Sequence, residues 1–204
     1  MTALGKRARQ KLERPGEILE AALEEFVRKG YMAARVEDVA TAVGVTKGTV
    51  YFYFETKEAL FSAVVRGFAP APDTATDVPA DKPMVDILSE YLGDLYAGIT
   101  EDRRTREIFH LLMAEGRHFP RLLDDYYREF LAPSLDRLKT LLATGVERGE
   151  LRATAVEETA EILLSPAVLA NIWTVVFGDR KPLDHGRFQA NCFDILFNGL
   201  AARS

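Results

Sequence analysis

Thr46, Lys47, Gly48 and Thr49 follow one another a step after the glycine turn at Gly44, and all four are small or polar. Thr46 is a good N-cap, because its hydroxyl accepts a hydrogen bond from a free amide two or three residues on. A helix with so bare a first turn can enter a DNA major groove about 12 Å wide. There Lys47 reaches a guanine edge or a phosphate, Gly48 lets the backbone come close, and Thr49 offers a hydroxyl and a methyl. Tyr51 and Tyr53 bring phenolic donors for phosphate oxygens, and Lys57 adds its charge to the free amides opening the next helix. The chemistry these residues can do is recognition of double-stranded DNA, with phosphate contacts setting register and the first turn reading sequence.

A second pattern points elsewhere. Glu107 with His110, and Glu115 with His118, share the Glu-x-x-His spacing by which ferritin-like carboxylate proteins hold two metals. That site needs the two motifs on different helices and two further glutamates. Here both motifs lie close together in sequence, and Gly116 with Pro120 is expected to end the helix between Glu115 and His118. A helical metal-binding protein or enzyme using Glu107 and His110 stands as the alternative reading. No nucleophile motif and no glycine-rich loop after a strand is present, so the sequence points to no catalytic set and no cofactor.

The elements that must position these residues are helices. Apolar residues recur at three and four, strict alternation is rare and hairpin turn pairs are absent. From Pro15, the residues Ile18, Ala22, Leu23, Phe26 and Val27 make one helical face, ending before Gly30. A short helix over about 36–43 turns Val36, Val39, Ala40 and Val43 inward, and a third runs from Thr46 to about Phe54. Two short helices across a glycine turn make the helix-turn-helix pattern. A fourth helix opens near Lys57. The proline-bearing stretch between Phe68 and Pro83 reads as a linker or mobile loop. Beyond it the periodicity predicts helices at about 83–100, 102–116, 119–147, 156–178 and 184–202, kinked or broken at Pro133 and Pro166.

Charge divides unevenly. The 204 residues carry a net charge of −5, yet residues 1–66 hold 11 basic and 9 acidic residues, while the rest hold 15 basic and 22 acidic. A basic front on an acidic body suits contact with a polyanion. A single cysteine, Cys192, rules out an internal disulfide, and no apolar leader opens the chain, so a cytoplasmic protein is expected. The charge-free run from residue 162 to 178 contains Ser165, Pro166, Asn171 and Thr174 and is expected to be a buried helix, with no membrane partner.

The run Gly44, Val45, Thr46, Lys47, Gly48, Thr49, Val50, Tyr51, Phe52, Tyr53, Phe54, then Thr56, Lys57, Glu58, Ala59 and Leu60, resembles the DNA-binding domain of the TetR family of bacterial transcriptional repressors. The resemblance extends back through Val36, Glu37, Asp38, Val39 and Ala40 to Phe26, Gly30 and Tyr31, over about residues 15–62. It implies a homodimer, an all-helical C-terminal domain that binds a small molecule, and release from operator DNA on ligand binding. Two positions depart from the family pattern. Arg35 stands where Thr or Ser usually caps the second helix, keeping a phosphate contact but losing the cap, and Phe52 replaces a frequent His.

The expected fold is therefore all-α. A basic arm at 1–14 and a three-helix helix-turn-helix domain at 15–56 precede a larger ligand-binding and dimerisation domain at 57–204. The residues expected on DNA are Arg35, Thr46, Lys47, Gly48, Thr49, Tyr51, Phe52, Tyr53 and Lys57. Phe68, Tyr91, Phe109, His110, Met113, Tyr127, Asn171 and Trp173 are the candidates to line an apolar cavity with a few polar groups, suiting an apolar or aromatic effector. The last two helices, with Val168, Ile172, Val175, Phe188, Cys192, Ile195 and Gly199, are too apolar to be left in water and are expected to pair in a dimer as a four-helix bundle.

Overall fold

The structure is a computed structural model describing residues 6–69, 78–152 and 159–200, with side chains from residue 14 onward. The arm at 1–14 thus lies partly outside the described residues, as does most of the linker. Two compact units emerge, Met1–Ala69 with Glu107–Asp124, and Pro70–Arg106 with Asp125–Ser204. The boundary expected after residue 56 falls inside the first unit, because the helix beginning at Lys57 packs with the first helix.

In the first unit, α1 (Lys6–Ala33) already starts at Lys6, so Pro15 lies inside the helix instead of opening it. Residues 6–14 are mostly good helix formers but lack an apolar stripe, which hides the helix from periodicity. Gly30 interrupts α1 with φ 72° and ψ 163°. Next come α2 (Val36–Val43), α3 (Lys47–Tyr53) and α4 (Lys57–Phe68). Gly44 takes the left-handed conformation, φ 68°, and its N–H returns to the carbonyls of Ala40 and Thr41, turning the chain between α2 and α3. Ile18, Ala22, Leu23 and Phe26 of α1, Val36, Val39 and Ala40 of α2, Val50 of α3 and Leu60, Phe61, Val64 and Val65 of α4 form the core.

The second unit is built on α5 (Met84–Thr100), α8 (Ala132–Glu147), α9 (Thr159–Phe177) and α10 (His185–Leu200). Met84, Leu88, Leu92 and Tyr96 of α5 pack with Leu138, Leu141 and Leu142 of α8 and with Leu163 and Ala167 of α9. The Tyr96 hydroxyl donates to the Leu163 carbonyl at 2.5 Å. Two further helices straddle the division between units: α6 (Arg103–Glu115) and, after a 3₁₀ turn at Gly116–His118, α7 (Pro120–Tyr126).

Three expectations need correction. The helix predicted over 119–147 contains a π-turn at Tyr127–Leu131, where the Ala132 N–H bonds the Tyr127 carbonyl; Pro133 then falls in the first turn of α8, where a missing N–H costs little. Pro166 does not break α9. Nor is α9 a wholly buried helix. It is long and apolar enough by composition to cross a membrane, with mean hydropathy 1.7. In the fold one side of it enters the core, while Ile162, Leu169, Trp173, Val175, Val176 and Phe177 are exposed.

Candidate nucleic-acid interface

Thr46 caps α3: its Oγ1 accepts from the Thr49 N–H at 3.1 Å and lies 2.9 Å from the Thr49 hydroxyl. One cap therefore closes the N-terminus of α3 and orients Thr49. Lys47 and Gly48 are exposed beside them, while Val50 is fully buried against the core. Among the described residues a Cβ on Gly48 would meet only Thr46 Oγ1, at 3.7 Å, an ordinary contact. Phe52 is 75% exposed, its ring edge-on to Tyr53 at 5.2 Å, and Tyr51 and Tyr53 are half-buried.

The cations are more committed than their sequence positions suggest. Lys47 Nζ pairs with Glu37 Oε1 of α2 at 2.5 Å and stands 5.5 Å from the Tyr51 ring centroid. The hydrogen bond with Lys47 holds the Glu37 carboxyl below the usual carboxylate range, and the same bond raises the Lys47 ammonium. Lys57 turns inward. Its Nζ donates to the Met32 carbonyl at 3.2 Å and sits 4.5 Å above the Tyr31 ring, where burial lowers its pKa against the attraction of Glu115 and Glu25. Arg35 takes the N-cap position of α2 in an extended conformation without any side-chain cap bond, as its lack of an acceptor requires.

Sequence reading missed two carboxylates. Glu37 carries no signal of its own, since its pairing with Lys47 follows from the angle between α2 and α3. Glu25, buried in α1, receives Arg28 and Lys29 and accepts from the Arg35 N–H at 3.4 Å, so it ties α1 to the start of α2. Lys29 bridges on to Asp38 at 2.7 Å.

The residues expected at an effector cavity are distributed over both units. Phe68, Phe109, His110 and Met113 fall in the first unit; Tyr91, Tyr127, Asn171 and Trp173 fall in the second. Asn171 is fully buried, donates to the Ile99 carbonyl at 3.3 Å and leaves its Oδ1 without a partner. Three residues on, Thr174 lies 3.1 Å from His185 Nε2, and His185 Nδ1 is buried and unpartnered, a polar neighbour the periodicity gave no reason to choose. Tyr91 donates to the Ser134 carbonyl at 3.3 Å, and Tyr127 opens the π-turn. Trp173 is exposed, packs at a tilt against the Phe177 ring and donates its indole N–H to the Lys181 carbonyl at 2.7 Å, so it belongs to the outer face of α9. As for the metal alternative, no three His, Cys, Asp or Glu side chains come together as ligands among the described residues. Glu115 instead accepts the Tyr31 N–H.

Comparison with known proteins agrees with this geometry. Residues 18–64 match the model for bacterial regulatory proteins of the tetR family, and residues 86–186 match a tetracyclin repressor-like C-terminal domain. The chain is similar to an HTH-type transcriptional regulator, YfiR of Bacillus subtilis, 30% identical over 145 residues that cover 69% of each chain. Two solved structures share the fold. NalD, the secondary repressor of the MexAB-OprM multidrug efflux pump in Pseudomonas aeruginosa, aligns with TM-score 0.72 at 23% identity over 93% of this chain and 98% of that one. A transcriptional regulator from Saccharomonospora viridis in complex with choline aligns with TM-score 0.72 at 18% identity over 94% and 100%.

Proposed function

The chain belongs to the TetR family of bacterial transcriptional regulators, and we propose that it is a repressor that binds a palindromic operator as a homodimer and leaves it when a small, largely apolar or aromatic effector binds. The observation that carries the operator reading is the capped, bare first turn of α3, in which Thr46 fixes Thr49 while Gly48 and Lys47, the latter paired with Glu37, are exposed. In this reading α3 enters the major groove, where Gly48 and Thr49 meet base edges and Lys47 reaches a guanine edge or a phosphate. Tyr51, Phe52, Tyr53 and Arg35 line the flanking backbone, and Lys57 supports the corner from within.

The effector reading is supported by Asn171. A fully buried side chain with a free acceptor is costly unless something donates to it, and a bound molecule with one polar donor on an apolar body answers that need. The choline found with the Saccharomonospora viridis regulator is a small organic cation in a protein of the same fold. Tyr91 and Tyr127, in the same unit as Asn171, join it in the proposed lining.

Selection of duplexes from a random-sequence library by the purified protein tests the operator reading. The expected product is a palindrome with half-sites one helical turn or somewhat more apart, roughly 34–36 Å or above. Enrichment of a single asymmetric half-site, or no enrichment, overturns it. Screening small molecules for release of that duplex then identifies the effector.

A further inference from the structure

We propose, resting on the operator reading above, that Glu115 is a positioning residue for the DNA-binding surface: from the end of α6 it holds the corner between α1 and α2, and through that corner it sets Arg35 and the helices that follow. The corner begins at Gly30, whose φ of 72° and ψ of 163° lie in a region that essentially only glycine occupies. A helix interrupted there leaves the next amide without its regular partner. That amide is Tyr31 N–H, and Glu115 Oε1, 84 residues further along the chain, accepts it at 3.0 Å. The Glu115 side chain is only 13% exposed, and a Cβ on Gly30 would lie 3.2 Å from the same oxygen. Gly30 is thus required by its own backbone, and the carboxylate is seated close against it.

The surroundings make this a built contact. The Phe119 ring, four residues past Glu115, meets Tyr31 edge-on at 4.5 Å and Phe61 at 5.1 Å. Lys57 lies over the Tyr31 ring, bonds the Met32 carbonyl and is attracted by Glu115. At the far end of the corner Glu25 accepts the Arg35 N–H. The short segment 31–35 is therefore held at its first and last amides by two carboxylates. Glu25 is local to α1, whereas Glu115 comes from α6, a helix whose first residues, 103–106, belong to the second unit. The other Glu115 oxygen lies 3.4 Å from Nδ1 of His118, which is 67% exposed. The Glu-x-x-His spacing here orients a carboxylate toward an amide, where the sequence suggested a metal.

The test uses the full chain, with amide hydrogen exchange at Tyr31 and binding to two duplexes: one selected from a random library by the wild-type protein, and a scrambled one. In Glu115→Ala the Tyr31 amide exchanges at least about tenfold faster and affinity for the selected duplex falls by about tenfold, the loss expected for one charge-assisted hydrogen bond. Affinity for the scrambled duplex and the melting temperature stay near wild type. Glu115→Gln, whose amide oxygen can accept the same N–H, restores both exchange protection and selected-duplex affinity. Glu115→Leu fills the space without accepting and repeats the alanine result if the alanine variant does not fold. The inference is overturned if Glu115→Ala or Glu115→Leu binds the selected duplex as wild type does. It is also overturned if Glu115→Gln fails to rescue, or if all variants lose melting temperature and both affinities together, as a merely structural role requires. Should wild type select no duplex, the operator reading fails while Tyr31 exchange still reports on the clamp.

Discussion

Lys47 is expected on DNA because it follows a cap and precedes a glycine; that it stands already paired with Glu37 was not legible, because residues ten apart meet only once α2 and α3 are crossed. The pairing changes what binding must do. A phosphate must share the Lys47 ammonium with Glu37 or draw it away, and in either case the carboxylate stands as an anion beside the DNA. Lys47→Ala is expected to flatten the slope of log affinity against log salt by about 0.9, the release of one phosphate's counterions. Glu37→Gln acts the opposite way, raising affinity for unrelated duplexes more than for the operator and so lowering discrimination. Because Lys47 holds the Glu37 pKa below its ordinary value, the pair is intact at neutral pH and is lost only as pH falls through that depressed value; the contrast between the two variants should therefore be flat across the neutral range. Lys57 was read from the same motif, but its ammonium is committed to Tyr31 and the Met32 carbonyl. Lys57→Ala should accordingly change the salt slope less than Lys47→Ala, and equal slopes in competitive titrations would show that Lys57 leaves its internal site on DNA.

At the scale of elements, periodicity located the helices well and misjudged their interruptions. A period of 3.6 marks which face is buried, but it carries no information on how a lost backbone bond is replaced. Pro166 is the clearer case. As an interior proline it cannot donate to the carbonyl four residues back, that of Ile162. The Ser165 hydroxyl donates there instead, at 2.7 Å, and α9 continues. Ser165→Ala should then cost about 0.5–1 kcal/mol, the net worth of one exposed hydrogen bond. Adding Pro166→Ala, which restores an N–H for the same carbonyl, should remove most of that penalty, so that thermal unfolding of the four proteins in the cycle shows coupling of the same size. Strict additivity would mean that Ser165 does not stand in for the missing amide. The π-turn before Pro133 was equally hidden, since one residue of extra register inside a continuous apolar pattern shifts a face without erasing it.

For the molecule as a whole, the expected pairing of the last two helices requires an apolar face that the other described residues leave uncovered. Composition identified the helices and part of the exposed face: Val175 of the expected set is exposed and Val168 and Ile172 are half-buried, while Ile162, Leu169, Trp173 and Val176 extend the exposed apolar surface of α9. On α10, Phe188 and Cys192 are half-buried and Ile195 is 71% exposed. The reason is that both faces of α9 are apolar, so sequence alone cannot say which one the core claims. An isologous dimer places each such residue near the two-fold axis or opposite its counterpart, so a single acidic substitution enters the interface twice. Val176→Glu and Ile195→Glu should each give a folded monomer by sedimentation velocity, with helical circular dichroism unchanged, since neither side chain contributes to the core of its own unit. The monomer keeps one recognition helix. Joining two half-site contacts in one particle makes the second contact effectively intramolecular, an advantage of about 10²–10⁴ over either alone. Each variant should therefore lose about that factor on a palindromic duplex while binding an isolated half-site as the wild-type chain does. If the variants stay dimeric and keep their preference for the palindrome, the interface lies elsewhere and the exposed stripe of α9 has another occupant.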